Sequence, residues 1–284
     1  MKNSETRKIA FISGRLGSIF VTGVVRGVEE ELREKHGDLY RLSHFNAGIE
    51  TGGREACKTA AEVVENSGAD ALIVLSFDPG KKAVKAAQEK KMPVVAIERE
   101  VQGIHTVNID NYRAGIEAAR YLIKCGSRRI GIITDIQSVV AGAASAERLA
   151  GFRYELKKNG MNIKKEDTAT ADYHTVECGI KTFDMIKGID KIDALFSVAG
   201  DAVAAGFVIE AKSNGVRVPE DIRVMGFDDM EIASAVEPAL TTIRQPINMM
   251  GRAAVEIIHG CLNGKNKRPK KIRLKTGLVV RESA

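Results

Sequence analysis

The chain has 284 residues, of which 44% are hydrophobic and 28% charged, with a formal net charge of +6. That is enough for two domains with ordinary buried cores, and too mild a charge to mark a nucleic-acid-coating protein. No stretch approaches the roughly 18 consecutive apolar residues of a membrane span, and no apolar h-region follows the N-terminus, so a cytoplasmic protein without a membrane partner is expected. Cys57, Cys125, Cys178 and Cys261 form no C-x-x-C pair and read as buried free thiols.

Short β-branched runs alternate with helical patterns along the whole chain. Lys8–Ser13 reads as a strand, Val21–Lys35 as a helix and Tyr40–Phe45 as a strand. A helix over Thr51–Asn66, with Thr51 as N-cap, leads to the apolar strand Ala71–Ser76. A helix near Lys81–Lys90 and the strand Pro93–Ile97 complete this first series. The second series has helices over Tyr112–Cys125, Ser145–Asn159, Val176–Lys187 and Asp201–Asn214. Its strands are Arg129–Thr134, Thr168–Tyr173, Ala194–Val198 and Ile222–Phe227. After Pro238 the chain reads extended, then helical from Met249 to Leu262, then extended again. Strands buried on both faces and alternating with helices require parallel sheets, so two doubly wound α/β lobes in series are expected, with a cleft between them.

Catalytic signatures are absent: no P-loop, no H-E-x-x-H, no G-x-S-x-G and no G-x-G-x-x-G. The glycine-containing turn Ser13–Ser18 needs its glycines for a strand-to-helix turn, whether or not it also holds an anion. His36, His44, His105, His174 and His259 lack metal-ligand spacing, and no nucleophile stands beside a base. No enzyme activity, metal or cofactor is expected. Seven of the twelve residues from Gly264 to Lys275 are basic, which reads as a solvated loop before a strand.

From residue 214 the sequence becomes specific. NGVRVPEDIRVMGFDD (214–229), PALTTIRQP (238–246), the SAERLAGF helix start (145–152) and the closing LVVRES (278–283) together resemble the LacI/GalR family of transcription regulators. Asp110-Asn111 followed by Gly126 also fits. The resemblance spans residues 8–283, strong in the second half and looser before residue 90. It implies a periplasmic-binding-protein-like type I fold, with two lobes joined by three crossovers. The N-terminal lobe would hold residues 8–107 plus 246–273, and the C-terminal lobe 108–245 plus 274–284.

The resemblance also implies a function: binding of a small polar effector, a sugar or sugar derivative, that modulates operator binding by a homodimer. Its ligand contacts fall on Arg148 and Asp228, with Ser18, Phe20, Ser76, Glu98, Tyr173 and Asp201 around them. A carboxylate such as Asp228 can accept two hydrogen bonds from neighbouring hydroxyls, and Arg148 is a fork donor. The competing readings are that Asp228 caps a turn, that Arg148 makes a surface salt bridge and that Asp201 is a helix N-cap. Three departures, at Arg15, Val21 and Gly200, suggest a larger or more acidic effector than a neutral sugar. Only seven residues precede the first strand, so operator contact is expected through a headpiece missing here, trimmed from the chain. The alternative is a solute receptor of the periplasmic-binding type, from which the 217–229 and 238–246 segments distinguish a regulator.

Overall fold

The computed structural model describes residues 6–14, 18–48, 53–265 and 268–284. In chain order it opens with β1 (Arg7–Ser13), α1 (Ile19–Glu31), β2 (Tyr40–Asn46), α2 (Arg54–Asn66) and β3 (Ala71–Leu75). Then come α3 (Gly80–Glu89), β4 (Val94–Ile97) and β5 (His105–Ile109). The second series runs α4 (Asn111–Lys124), β6 (Ile130–Asp135), α5 (Ala144–Lys158), β7 (Thr168–Ala171), α6 (Val176–Met185) and β8 (Ala194–Ser197). It continues through α7 (Asp201–Ser213), β9 (Arg223–Asp228), α8 (Glu231–Ala235) and β10 (Thr241–Arg244). The chain closes with α9 (Ile247–Leu262), β11 (Lys271–Leu274) and β12 (Gly277–Val279).

These elements cluster into two compact units, Met1–Ile109 with Pro246–Leu274, and Asp110–Gln245 with Lys275–Ala284. The chain therefore passes from one unit to the other three times. The first sheet has strand order β11-β5-β4-β3-β1-β2 and the second β12-β10-β9-β8-β6-β7. Every pairing is parallel except that of β10 with β12, which is antiparallel. Both sheets are parallel as expected, apart from the edge strand β12, which reaches β10 only after α9 and β11.

Helices cover both faces of each sheet. In the first unit α2 and α3 pack together over Ile12, Leu72, Val74 and Val94, and α1 packs on α9. In the second, α6 and α7 cover Ile133 and Leu195. The opposite face is covered by α4 and α5, where Phe152 of α5 stacks on Phe196 of β8 at 4.6 Å. The α4–α5 crossing depends on small residues. A Cβ on Gly151 would stand 1.9 Å from the Tyr112 carbonyl oxygen, and one on Gly115 1.9 Å from that of Arg148. Backbone meets backbone there, which fixes α5 and so the base of Arg148.

Several local expectations need correction. The helix expected over Val21–Lys35 ends at Glu31 and passes into a π turn, Leu32–His36, closed by Gly37 with φ 53°. Thr51 lies outside the described residues, and the N-cap of α2 is Gly53. The strand β5 and the short helix α8 were not foreseen. All four cysteines are free but only partly buried, because each sits at a helix or helix end beside the surface. No helix among the described residues is long and apolar enough to cross a membrane. Val63, Val64 and Ala87 are buried in the first core. Val21 likewise faces the interior.

Candidate functional site

In a parallel sheet the loops that carry ligands leave the carboxyl ends of the strands, most often at the switch point where strand order reverses. In the first sheet that point lies between β1 and β3, and in the second between β6 and β8. At the first, Ser13 ends β1, and its hydroxyl lies 2.8 Å from His44 Nε2 on β2. The sequence did not foresee this serine–imidazole pair. The His44 ring stacks on Phe11 at 5.5 Å, and burial lowers its pKa, which favours a neutral hydrogen-bonding ring. Ser76 follows β3 and donates to Glu98, which follows β4, at 2.5 Å. Ser18 is the N-cap residue of α1 and Phe20 lies in its first turn, both half-buried. Arg15 and the rest of 15–17 lie outside the described residues.

The second edge is built around charges. Arg148 lies one turn into α5 and is 4% exposed, which rules out a surface salt bridge. Its NH1 donates to the Val198 carbonyl at 2.6 Å, and its NH2 to Asn111 Oδ1 at 3.2 Å. The guanidinium stacks over Phe227, 3.3 Å from the ring centroid, a cation–π contact strengthened by its dry surroundings. Asp228 is the last residue of β9, 9% exposed, and accepts from Gln245 Nε2 at 2.5 Å. Burial raises its pKa, and the attraction of Arg148 and the Gln245 bond oppose that rise. Gln245 Oε1 is buried without a partner among the described residues. Such an atom calls for a water or ligand donor.

Asp201 is withdrawn from solvent altogether, and Gly200 rather than Asp201 is the N-cap of α7. Its Oδ1 accepts from the Thr242 hydroxyl at 2.7 Å and its Oδ2 from the Met230 N–H at 2.8 Å. Burial and then the nearby Asp228 push its pKa well above the usual carboxylate range. A Cβ on Gly226 would meet Asp201 Oδ1 at 2.1 Å, so the glycine of the MGFDD segment makes room for this carboxyl. Asp201 thus ties α7 to β10 and to the turn after β9. Asp229 braces the same turn, accepting from Arg244 at 2.5 Å and Arg281 at 2.6 Å. Gly200 has φ 94°, and a Cβ there would come within 3.0 Å of Asp228 Oδ2.

Backbone geometry singles out the same places. Five non-glycine residues among those described have positive φ, and four of them, Ser76, Glu98, Asp228 and Asp229, stand at carboxyl ends of strands. Such conformations cost of order 1–3 kcal/mol each and gather where function requires them. Tyr173 follows β7 and is 42% exposed. Sequence reasoning missed Asn111, Gln245, Asp135 and His174 at this edge. Asp135 ends β6 and is buried, and His174 Nε2 lies 3.0 Å from its Oδ2. A cavity of about 270 Å³ lined by Gln88, His105 and Arg268 lies at the opposite, amino edge of the first sheet. No cluster of three or more metal-ligating side chains occurs among the described residues.

A duplicated parallel α/β fold with polar and charged groups gathered at carboxyl edges defines a ligand-binding protein of the periplasmic-binding type. A family profile described as a periplasmic binding protein-like domain matches residues 119–284. The chain is 30% identical over 269 residues to the HTH-type transcriptional regulator CelR of Thermobifida fusca, spanning 93% of this chain and 76% of that protein. It is 26% identical over 273 residues to the HTH-type transcriptional repressor CytR of Escherichia coli K12, spanning 94% and 76% respectively. The structure of a CelR–cellobiose complex superposes with a TM-score of 0.82 at 28% identity, covering 99% of this chain and 86% of that one. The chain belongs to the LacI/GalR family of transcription regulators and folds as its effector-binding core.

Proposed function

We propose that this chain senses a small polar effector, a sugar or sugar derivative, and thereby modulates operator binding by a cytoplasmic homodimer whose headpieces read DNA. Arg148 and Asp228 supply the principal effector contacts. Ser18, Phe20, Ser76, Glu98 and Tyr173 contribute from their own strand ends, and Asp201 holds the Asp228 turn in place. The observation that carries this reading is the buried Arg148–Asp228 neighbourhood at the carboxyl edge of the second sheet. Two opposite charges there are withdrawn from water, and the acceptor Gln245 Oε1 has no protein partner among the described residues. A polyhydroxylated molecule offers both donors and acceptors to such a surface. The CelR complex with cellobiose supports a sugar as the ligand class. Coupling to DNA is linkage between two sites: the effector must bind one conformation of the dimer better than another.

A thermal-shift screen over sugars, sugar acids and sugar phosphates tests this reading. A compound present at 100 times its Kd stabilises the folded chain by about 2.7 kcal/mol. A clear rise in Tm with one member of these classes supports the proposal, and silence across all three removes it.

A further inference from the structure

Asp135 and His174 form a pair that the reading above leaves unused. Asp135 closes β6 at the switch point and is 4% exposed, while the His174 ring beyond β7 is 53% exposed. The Ser138 hydroxyl donates to Asp135 Oδ1 at 2.8 Å and receives the Asp135 N–H at 3.1 Å. Burial works against ionisation of Asp135, but His174 and the hydroxyls of Ser138 and Ser145 outweigh it and hold the pKa at about 2. The exposed half of the pair is screened by water, so His174 supplies only part of that stabilisation. As a way to aim a ring the pair is good. A carboxylate on Nε2 fixes both the tautomer and the orientation of an imidazole.

The ring also stands in the right neighbourhood. His174, Asp135 and Arg148 all act electrostatically on Asp228. Asp135 of β6 contacts the ring, and Asp228 of β9 and Arg148 of α5 belong to the same carboxyl edge of the sheet. Asp172 is two residues before it, and the N-terminus of α6 begins two residues after it. Among Asp135, Arg148, Asp228 and His174, only His174 is substantially open to solvent.

We propose that His174 contacts the effector at the carboxyl edge of the second sheet, and that Asp135 is its positioning residue. The proposal rests on the effector reading above and sharpens it: the chemistry recognised is a hydroxyl-bearing molecule. A sugar hydroxyl both donates and accepts, so it suits the ring in either charge state.

The test uses the whole chain with four probes added singly: cellobiose, ribose, gluconate and glucose 6-phosphate. Nitrogen-15 spectra follow the His174 ring and Arg148 Nε together. With at least one probe both signals move, and His174→Ala weakens that probe about 10- to 100-fold, as expected when a hydrogen bond is lost and its partner is left unpaired. His174→Gln, which retains a polar amide, recovers part of the loss. Asp135→Asn also weakens the probe, because the ring loses the anionic partner that aims it. A probe that moves Arg148 but not the ring, with unchanged affinity in His174→Ala, overturns this inference and leaves the effector reading standing. Silence of all four probes at both residues removes the effector reading, and this inference with it.

Discussion

At the carboxyl edge of the second sheet, Asp135, Arg148, Asp201 and Asp228 are all withdrawn from solvent and tied to named partners. At the corresponding edge of the first sheet the pairs are Ser13 with His44 and Ser76 with Glu98, where His44, Ser76 and Glu98 are only half-buried. The difference is one of constraint. A buried charge tolerates few substitutions, because each partner must be of one chemical kind at one place. Half-exposed hydroxyl pairs can be replaced by water. The second edge is accordingly the one whose sequence is specific, and the family profile matches residues 119–284.

The comparison predicts unequal costs of mutation. Arg148→Ala leaves the Val198 carbonyl and Asn111 Oδ1 unpaired and removes the cation beside Asp228, so it should destabilise the chain by about 3 kcal/mol. Urea unfolding reads this as a lower midpoint at unchanged slope, and a loss below about 1 kcal/mol would show the network to be loosely held. Asp135→Asn comes next. The folded pKa of Asp135, about 2, lies below its ordinary value of 3.8. Its contribution is therefore complete above that ordinary value and lost as pH falls through about 2. The variant should lose about 2 kcal/mol at neutral pH and show a flatter stability curve between about pH 4 and 2. Asp201 and Asp228 have raised values, so the sign is opposite: what they contribute is lost as pH rises through their folded pKa values. An acid limb identical to that of the wild type in Asp135→Asn would contradict this assignment.

Gly151→Ala forces apart α4 and α5 and should cost about 1–3 kcal/mol in a thermal melt. If it melts like the wild type, the close crossing is not what seats Arg148. Ser76→Ala, at the first edge, removes one hydrogen bond to Glu98 and should cost about 1 kcal/mol or less. A larger loss than for Arg148→Ala would reverse the comparison.

The alternation of short apolar strands and amphipathic helices was legible because its periodicity is local. Gly160 and Gly215 follow α5 and α7 with φ 73° and 75°, the left-handed backbone that glycine takes most easily. Arg148 and Asp228 could be nominated from the RLAG and GFDD segments, and the structure brings them into one neighbourhood. The sequence did not show that Arg148 is buried over Phe227, or that Asp201 packs on Gly226 rather than capping its helix. These facts depend on which strands are neighbours. The Asp135–His174 pair spans 39 residues and unites the ends of adjacent strands β6 and β7, so no local pattern announces it. The strand β5 was missed because His105-Thr-Val-Asn-Ile109 is short and follows directly on a loop. Positive φ at Ser76, Glu98 and Asp228 leaves no trace in residue type, since none of them is glycine.

The central claim is that the Arg148–Asp228 edge holds the effector. Titration calorimetry of wild type, Arg148→Ala and Asp228→Ala with the compound that most raises Tm in the thermal-shift screen tests it most directly. Each substitution should weaken binding by about 2–5 kcal/mol, because each leaves buried polar groups unpaired. Wild-type affinity in both folded variants would place the effector elsewhere and contradict the account.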